Sequence, residues 1–458
     1  MRETLTTAAP VQLEKIGFGE KFSYGLGDLA NNIVFTAVST FIIFFYTDVA
    51  GLAAGTVASI MLVSRLLDIL TPVMGVVVDR THSKHGKCRP WLLWMAVPFG
   101  ISTVLLFTVP NFGLTGKIIY AFVTYNLAFT VIYTAINTPY GALTALISQD
   151  QYQRSLLNLY RMILAIVGMI GINAITLPLV KAFGSGPQAW QKTFMCFGVV
   201  ATVLFLITFA GTKERVKPAS QQEIHKTVPL KAGLTALIHN KYWVLIAVMS
   251  IFIFVNIPGL LGSTIYYART FLGDASYVGA LMAALMGATL VGMFLLAPLL
   301  KRYGKRNTAL VGTLVTIVGQ LLMFYAPRSL TVILVSLAIK GFGGAALMGT
   351  FYAMVTDTIE YGEWKSGVRT EGLVYGASSF GSKLGTGLGA VLIGWVLGLG
   401  GYVGGSVTQS HAAEQAIKSL FLYIPLALLV GQLILLWFYN LDKEYPAIIA
   451  ELQRRRAE

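Results

Sequence analysis

Residues 243–268 read WVLIAVMSIFIFVNIPGLLGSTIYYA, a stretch without a charged side chain. About 20 apolar residues in a helix are enough to cross a hydrocarbon core roughly 30 Å thick, so this stretch is predicted to span a membrane. Pro258 lies in its middle, two residues after Asn256. A proline leaves a carbonyl of the preceding turn without its helical donor, and that carbonyl needs another partner or a watery cavity.

Comparable apolar runs recur along the whole chain. The 458 residues are 55% hydrophobic and 12% charged, with a mean hydropathy of +0.70. About a quarter of the residues of a soluble domain are charged, so the composition predicts a membrane protein. The predicted fold class is all-α, with twelve transmembrane helices. The predicted spans are 28–47, 54–78, 90–110, 116–147, 156–182, 191–211, 243–268, 276–300, 308–326, 328–355, 372–400 and 416–440.

The net charge of +14 is concentrated on one side of the predicted membrane. Most Lys and Arg residues lie near the chain ends, in segment 212–241 and in the loops of that side. The positive-inside rule therefore places both termini in the cytoplasm. The lipid bilayer accounts for this charge, and no nucleic-acid partner is predicted. Residues 1–25 lack the apolar core and cleavage site of a signal peptide, so the first span is expected to remain as an anchor.

The polar segment 212–241 divides the chain into two halves. Basic, glycine-containing turns at 79–90 and 301–306 follow the second span of each half. Such internal repetition is typical of transporters of the major facilitator type, which hold their substrate near the membrane midplane between two bundles. The predicted fold is therefore all-α, with the twelve helices arranged in two six-helix bundles. The predicted boundaries are 1–211 for the N-terminal six-helix bundle, 212–241 for a cytoplasmic middle loop, 242–440 for the C-terminal six-helix bundle and 441–458 for a cytoplasmic tail.

Ionisable side chains inside the predicted spans are few, and each costs on the order of 2.5 to 3.5 kcal/mol to insert. Asp68 is the one acid predicted well inside a span. Arg65 precedes it by three residues and shares its helix face. We interpret Asp68 as a proton or cation site tuned by Arg65; the alternative is a structural ion pair. The other cations predicted inside spans are Arg161, Lys340 and Lys383.

Polar residues at helical spacing mark the fourth span, and Asn32 holds a comparable position in the first. Their side chains can hydrogen-bond the hydroxyl groups of a substrate. Ser and Thr alone more often serve helix packing in lipid, whereas asparagines are harder to explain in that way. The stripe of the fourth span consists of Thr130, Thr134, Asn137 and Gly141, with Tyr133 beside it.

An acid-rich stretch, Asp357-Thr358-Ile359-Glu360-Tyr361-Gly362-Glu363-Trp364, stands out on the basic side of the membrane. The pseudo-symmetry predicts that it forms a loop facing the basic loop 79–89. Ion pairs between the two loops would hold the cytoplasmic side closed. The alternative is a solvated loop. The candidate gating residues are Asp79, Arg80, Lys84, Arg89, Asp357, Glu360, Glu363 and Arg369.

An enzyme would need a nucleophile with its base, or a metal cluster. The five histidines all lie in loops or at span ends, and no such constellation is found. Cys88 and Cys196 are predicted at different membrane depths, so neither a disulfide nor a metal site is expected. No cofactor is predicted.

Several short motifs, taken together and in order, resemble signatures of the glycoside-pentoside-hexuronide:cation symporters. The resemblance covers nearly the whole chain, and it implies a major facilitator fold that couples entry of a glycoside to an inward-moving cation. The motifs are Tyr24-Gly25-Leu26-Gly27-Asp28, Phe45-Tyr46-Thr47-Asp48, Arg65-Leu66-Leu67-Asp68, Gly86-Lys87-Cys88-Arg89-Pro90-Trp91, Asn137-Thr138-Pro139-Tyr140-Gly141 and Asp357-Thr358-Ile359-Glu360-Tyr361-Gly362-Glu363.

The resemblance implies roles for single residues. Asp68 matches a cation-site carboxylate and Thr134 a cation-site hydroxyl of the family's melibiose carriers. The second cation-site aspartate is missing here, and Thr71 stands in its place. Among the candidate substrate residues, Arg161 and Lys383 match charged cavity residues, Asn32 and Asn137 stand where those carriers have sugar-binding aspartates, Gly141 stands where they have a sugar-stacking tryptophan, and Tyr133 lies beside them.

The predicted function is import of a sugar glycoside by alternating access across the bacterial cytoplasmic membrane, with a monomer as the functional unit. A proton is favoured over sodium as the coupling ion, because one carboxylate remains where the melibiose carriers have two. The asparagines resemble the glucuronide and xyloside carriers of the family. Because four cations and one acid are predicted inside the spans, the favoured substrate is a uronide, and a neutral xyloside or other pentoside is the alternative. The alternatives are a carrier of the same fold for an amphipathic lipid-like substrate, and a non-transporting membrane sensor.

Overall fold

The computed structural model describes residues 16–67, 74, 77–78, 80–148, 151–215, 235, 237–367, 371–406 and 408–457. Within these ranges the chain is helical throughout its long elements, and the described secondary structure contains no strand. The helices are numbered here in chain order.

The first half of the chain forms six helices. Helix α1 ends in a π-helical turn, and α4 contains a longer π-helical stretch in its middle. The bounds are Phe18–Phe44 continued by Phe45–Val49 for α1, Ala54–Leu67 for α2, Arg89–Leu106 for α3, Leu114–Tyr125, Asn126–Tyr133 and Thr134–Ile147 for α4, Gln151–Ala182 for α5 and Pro187–Gly211 for α6.

The second half repeats this arrangement and adds a short final helix. Helices α8 and α9 are the two arms of Val278–Tyr325, which bends at Gly304, where the backbone is not helical (φ 77°). The other bounds are Lys241–Phe271 for α7, Leu330–Ser366 for α10, Glu371–Leu399 for α11, His411–Lys418, Ser419–Tyr423 and Ile424–Phe438 for α12, and Leu441–Ala457 for α13.

Eleven helices of the described chain are long and apolar enough to cross a membrane. Helix α2 is described only as far as Leu67, and this described part is shorter than a membrane span. The outer surfaces of these helices are apolar: Val311, Leu314, Val318 and Leu321 form an exposed stripe along α9 at helical spacing. A stripe of this kind is suited to lipid chains. The predicted fold class of twelve spans in two bundles of the major facilitator type is confirmed.

Small residues let the helices pack closely. A Cβ atom built on Gly100 of α3 would lie 2.8 Å from the carbonyl oxygen of Gly198 on α6, and one on Gly343 of α10 would lie 2.5 Å from the carbonyl oxygen of Gly312 on α9. These approaches leave no room for a side chain. Lipid chains are as apolar as the helices, so close backbone packing is a main source of association between helices in a membrane.

Two faces of the molecule are distinguished below. The terminal face is the one at which α1 begins and α12 ends, and the far face is the one at which α1 ends and α2 begins. The acid-rich stretch lies at the terminal face, but residues 357–364 belong to α10, which continues to Ser366. The prediction of a loop there is wrong. The stretch contains no proline to interrupt the helix, and α10 is capped after Ser366 by Gly367, which has a φ of 68°.

Candidate functional site

The two halves of the chain meet at the far face through Asp48, at the end of α1. Its carboxylate is ion-paired with Arg269 of α7 and accepts hydrogen bonds from the hydroxyl of Tyr402 (3.0 Å) and the backbone N–H of Gly405 (2.9 Å). Burial raises the pKa of Tyr402, so its hydroxyl stays protonated and donates. The side chain of Asp48 is only 3% exposed. Because its partners belong to the second half of the chain, Asp48 clamps the two halves together at this face.

Further contacts close the far face. The hydroxyls of Thr47 and Tyr266 lie 3.0 Å apart across the halves. A Cβ built on Gly394 of α11 would lie 2.7 Å from Ala58 of α2, so these two helices are in close contact. At the rim, Lys181 and Asp274 are paired at 3.5 Å and are both well exposed. A backbone hydrogen bond from Ser276 lowers the pKa of Asp274.

At the terminal face, charged residues pair within their own half. Asp357 of α10 accepts a hydrogen bond from Lys305 of α9 at 2.6 Å, and Arg215 pairs with Glu20 at 2.8 Å. Gly141 and Lys383 are exposed, and nothing lies within 4 Å of a Cβ built on Gly141. Among the described residues, the space between the halves is therefore closed at the far face and open toward the terminal face.

Two of the described gating candidates, Asp357 and Arg89, do not pair with each other in this state. Asp357 pairs with Lys305 instead of the basic loop, and Arg89 donates to the carbonyl oxygen of Phe209 at 2.7 Å. Arg80 and Lys84 are exposed. For Asp357 and Arg89, the partner that the structure shows belongs to the same half of the chain. Of the other gating candidates, Glu360 and Glu363 are half-buried on α10, and Asp79 and Arg369 lie outside the described residues.

The polar centre of the N-terminal half joins α1 to α5. The Nε atom of Arg161 lies 3.2 Å from the carboxylate of Asp28, and its guanidinium stands 5.0 Å from the ring centre of Tyr140. Asn32 donates from its amide to the backbone carbonyl of Asp28 at 2.8 Å. Arg161 and Asp28 keep 27% and 14% of their side chains exposed, so the pair is accessible to a small molecule.

This ion pair corrects the charge count made from the sequence. Asp28 lies ten residues inside α1, which begins at Phe18 and not at the predicted span edge. The prediction that Asp68 is the one acid inside a span is therefore wrong. Because Asp28 already satisfies Arg161, the cavity carries less positive charge than was expected. The signal that was missed is helical spacing, since Asp28 stands one turn before Asn32.

Aromatic rings form the wall next to this pair. Tyr133 of α4 stacks on Phe129 with ring centres 4.9 Å apart, and Phe35 of α1 lies 6.2 Å from Phe129. Asn137 follows Tyr133 by one helical turn and is half-buried. Gly141 is a turn further on, so the predicted substrate residues of α4 occupy one face. Aromatic rings beside amides and a carboxylate suit a ligand that is both ring-shaped and rich in hydroxyls.

Arg65 lies where the halves converge above this site. Its guanidinium donates to the hydroxyl of Tyr125 at 3.1 Å and stands 5.5 Å from the ring centre of Phe129. A Cβ built on Gly387 of α11 would lie 2.7 Å from the Arg65 side chain. Arg65 is therefore part of the contact between α2 and α11. Lys383 lies four residues before Gly387 on the open side.

The predicted cation site is only partly visible. Thr134 is half-buried on α4, on the same helix as Tyr133 and Asn137. Asp68 and Thr71 lie outside the described residues, so their place relative to Thr134 stays a prediction.

A helical membrane protein with two pseudo-equivalent halves, closed on one face around a polar centre, is a transporter of the major facilitator type. Solved structures share this fold. The nucleoside transporter NupG has a TM-score of 0.64 at 13% identity, over 93% of this chain and 99% of that one. A bacterial homolog of the human lysosomal transporter Spinster, in an inward-facing and occupied conformation, has a TM-score of 0.64 at 14% identity, over 93% and 96%.

Sequence comparison identifies the family. A family model described as MFS/sugar transport protein matches residues 23–443. The isoprimeverose transporter of Lactiplantibacillus pentosus is 35% identical over 98% of this chain and 94% of that protein. The putative glycoside/cation symporter YagG of Escherichia coli K12 is 35% identical over 96% and 95%, and the glucuronide carrier protein homolog of the same strain is 32% identical over 94% and 95%.

The chain belongs to the MFS sugar transport family, as its resemblance to the glycoside-pentoside-hexuronide symporters implied. It is a multi-pass membrane transport protein and not an enzyme.

Proposed function

We propose that this protein is a glycoside:cation symporter that imports its sugar by alternating access through a bacterial cytoplasmic membrane. The proposal is carried by the accessible pair of Asp28 and Arg161 beside Asn32, in a chain of the sugar transport family. The names of the relatives support it, since they include an isoprimeverose transporter and a glycoside/cation symporter. The predicted domain boundaries and the monomeric unit belong to the same proposal.

The terminal face is proposed to be cytoplasmic, because the basic residues of the chain concentrate there. With this orientation the structure is inward-open. The switch to an outward-open state must release Asp48 from Arg269 and separate α2 from α11. In that state the halves close at the terminal face, and Asp357 then exchanges Lys305 for a partner among Arg80, Lys84 and Arg89 of the basic loop.

The substrate is proposed to be a neutral glycoside, such as a xyloside. A uronide was favoured from sequence because Arg161 was expected to lack a counter-charge. The ion pair with Asp28 removes that reason. A carboxylate of an arriving uronide would meet the carboxylate of Asp28 as well as the guanidinium. A neutral sugar instead hydrogen-bonds both members of the pair, with Asn32 and Asn137 as further partners and Tyr133 beside its ring.

Competition tests this substrate class. Purified protein in vesicles is given labelled isoprimeverose, and unlabelled methyl xyloside, methyl galactoside and methyl glucuronide are added in turn. Neutral glycosides are expected to displace the label at least tenfold better than the glucuronide. Stronger displacement by the glucuronide would restore the uronide reading while leaving the symporter proposal intact. Failure of every glycoside to bind or compete would overturn the symporter proposal.

Coupling to protons through Asp68 is proposed, with Thr71 and Thr134 as hydroxyl partners. A hard cation such as sodium prefers several oxygen ligands, including charged ones, and the sequence offers one carboxylate in this region. Sodium held by the same three residues is the alternative.

A lipid-like substrate is disfavoured by the polar centre. A carrier of amphipathic lipids needs a more apolar cavity than one lined by Arg161, Asp28 and Asn32.

A further inference from the structure

A second cavity, separate from the polar centre at Asp28 and Arg161, lies inside the C-terminal half. It has a volume of about 220 Å³ and is bounded by α7, α8, α9, α10 and α12, with Ile166 and Met169 of α5 completing its wall. The apolar lining comes mainly from Leu, Ile and Met side chains. Its polar lining consists of Asn256, Thr289, Thr313, Thr316, Lys340 and Gln432.

Lys340 is the charged residue of this cavity and is only 5% exposed. Its ammonium group donates to the side-chain oxygen of Gln320 at 2.6 Å. The amide nitrogen of Gln320 donates to the backbone carbonyls of Phe421 and Leu422, both at 3.0 Å, which fixes the direction of its oxygen. Within the described chain, no carboxylate pairs with Lys340. A buried ammonium group with one neutral acceptor is poorly compensated.

Two amides add hydrogen-bonding capacity to the same cavity. Gln432 is 2% exposed and lines the cavity. The side-chain oxygen of Asn256 is buried and lacks a partner among the described residues. Native proteins rarely leave buried polar groups unpaired, so the cavity calls for a polar ligand. The amide nitrogen of Gln432 can donate to an oxygen of that ligand, whereas the side-chain oxygen of Asn256 accepts hydrogen bonds and needs a donor.

We propose that this cavity binds a small organic carboxylate with an apolar body, such as an aryl-substituted acetate. The carboxylate would take a charge-assisted hydrogen bond from Lys340 and a further hydrogen bond from the amide nitrogen of Gln432. The apolar body would lie against the Leu, Ile and Met side chains. The volume lies below the roughly 300–1,000 Å³ of most ligand pockets, which restricts the ligand to about one ring with a short chain.

Occupancy of this cavity links the two halves. Ile166 and Met169 belong to α5 of the N-terminal half, whereas the polar groups belong to the C-terminal half. A Cβ built on Gly279 of α8 would lie 2.7 Å from Ala174 of α5, so these two helices are in contact at the far face. A bound carboxylate therefore stabilises this state. It is expected to inhibit the switch between states without displacing the glycoside.

Direct binding tests the proposal. Labelled phenylacetate is titrated against the purified full-length protein, and phenylacetamide serves as the neutral ligand of matched shape. Phenylacetate is expected to bind at least about tenfold more tightly than phenylacetamide, because only the carboxylate compensates the ammonium group. Lys340→Met should weaken phenylacetate about tenfold, and Gln432→Leu should weaken it severalfold. Lys192→Met, on the exposed surface of α6, is the matched control and should leave binding unchanged.

Equal binding of the two ligands, or wild-type affinity in both Lys340→Met and Gln432→Leu, would overturn the proposal. If Lys340→Met does not fold, the proposal is tested by the affinities of the wild type for phenylacetate and phenylacetamide and by the affinity of Gln432→Leu for phenylacetate. Competition between phenylacetate and a bound glycoside would also overturn it, because the ligand would then occupy the sugar site.

Discussion

Glu214 and Asp442 occupy equivalent positions in the two halves of the chain. Glu214 follows α6, and its carboxylate accepts the backbone N–H groups of residues 87–89 at 2.8 to 2.9 Å, where α3 begins. Asp442 follows α12 and accepts the backbone N–H of Arg306 at 2.8 Å, where α9 begins. A carboxylate at a helix N-terminus compensates unpaired N–H groups and the helix dipole. In each half of the chain, a carboxylate after the sixth helix is therefore hydrogen-bonded to the start of the third helix.

The turn before α3 requires glycine at position 86. Gly86 has a φ of 100°, and a Cβ there would lie 2.4 Å from the Glu214 carboxylate. Gly86→Ala is expected to lower the free energy of unfolding by about 1–3 kcal/mol through backbone strain and displacement of the carboxylate. Thermal unfolding in detergent measures this loss. Gly113→Ala is the control, because Gly113 has a φ of −61° and nothing within 4 Å of the added Cβ. Equal midpoint temperatures of unfolding for the two variants would contradict this role of Gly86 beside Glu214.

The clamp at the far face should control which state is populated. Asp48→Asn removes the charge that holds Arg269 and is expected to shift the equilibrium toward the state open at the far face, by about 1–3 kcal/mol. Arg269 is 31% exposed, which places the effect below that of a fully buried pair. Uptake should fall, because the inward-open state is then reached less often.

Spin labels report that shift. Phe112→Cys and Val403→Cys place labels on exposed positions of opposite halves at the far face. Cys196 is exposed and is first replaced by Ser, whereas Cys88 is buried. Asp48→Asn should add a longer distance between the labels. Lys181→Met breaks an exposed pair, which is worth less than about 1 kcal/mol, and should leave the distances unchanged.

The sequence predicted the elements better than the contacts between them. The apolar runs gave the twelve spans, because hydropathy over about 20 residues is a local property. The basic turns at 79–90 and 301–306 correctly indicated two related halves, and Gly86 and Gly304 are the positive-φ residues of those turns. Thr134, Asn137 and Gly141 lie in one α-helical segment of α4, and their role in binding stays a prediction.

Partners from distant helices were not predictable in the same way. Asp28 meets Arg161 and Asp48 meets Arg269 only after α1 packs against both α5 and α7. No spacing rule connects residues so far apart in the chain. The gate was predicted between the halves because pseudo-symmetry gives equivalent positions, but it does not give the state of the transporter in which those positions meet.

Asp28 should determine the charge preference of the sugar site. Asp28→Asn leaves Arg161 without its counter-charge, so an arriving carboxylate gains where it was repelled. Methyl glucuronide is expected to improve as a competitor by about tenfold relative to methyl xyloside. Arg161→Gln combined with Asp28→Asn should cancel this gain. An unchanged ratio of the two competitors in Asp28→Asn would show that the pair does not select against anions.

Charge-swap variants at the terminal face should show which basic residue is the functional partner of Asp357. Asp357→Ala is expected to lower uptake, because the proposed outward-facing state loses its pair with the basic loop. If Arg89 is that partner, Asp357→Arg with Arg89→Asp should recover part of the uptake. If Lys305 is the functional partner, as in the state seen here, Asp357→Lys with Lys305→Asp should recover it instead. Normal transport in every single variant would remove the gate.

Coupling should depend on the carboxylate of Asp68. Asp68→Asn keeps the size and hydrogen-bonding capacity of the side chain but cannot carry a proton or hold a cation by charge. Accumulation of glycoside against its gradient should be abolished, while exchange of glycoside across the membrane should persist, because exchange needs no net movement of the ion.

Uptake by vesicles under imposed proton or sodium gradients, with the pH of the medium recorded, measures both accumulation and exchange. Proton coupling predicts alkalinisation of the medium when glycoside is added to the wild type and none with Asp68→Asn. Sodium-stimulated uptake at fixed pH, without alkalinisation, would replace the proton by sodium at the same carboxylate. Full accumulation by Asp68→Asn would exclude Asp68 from coupling altogether.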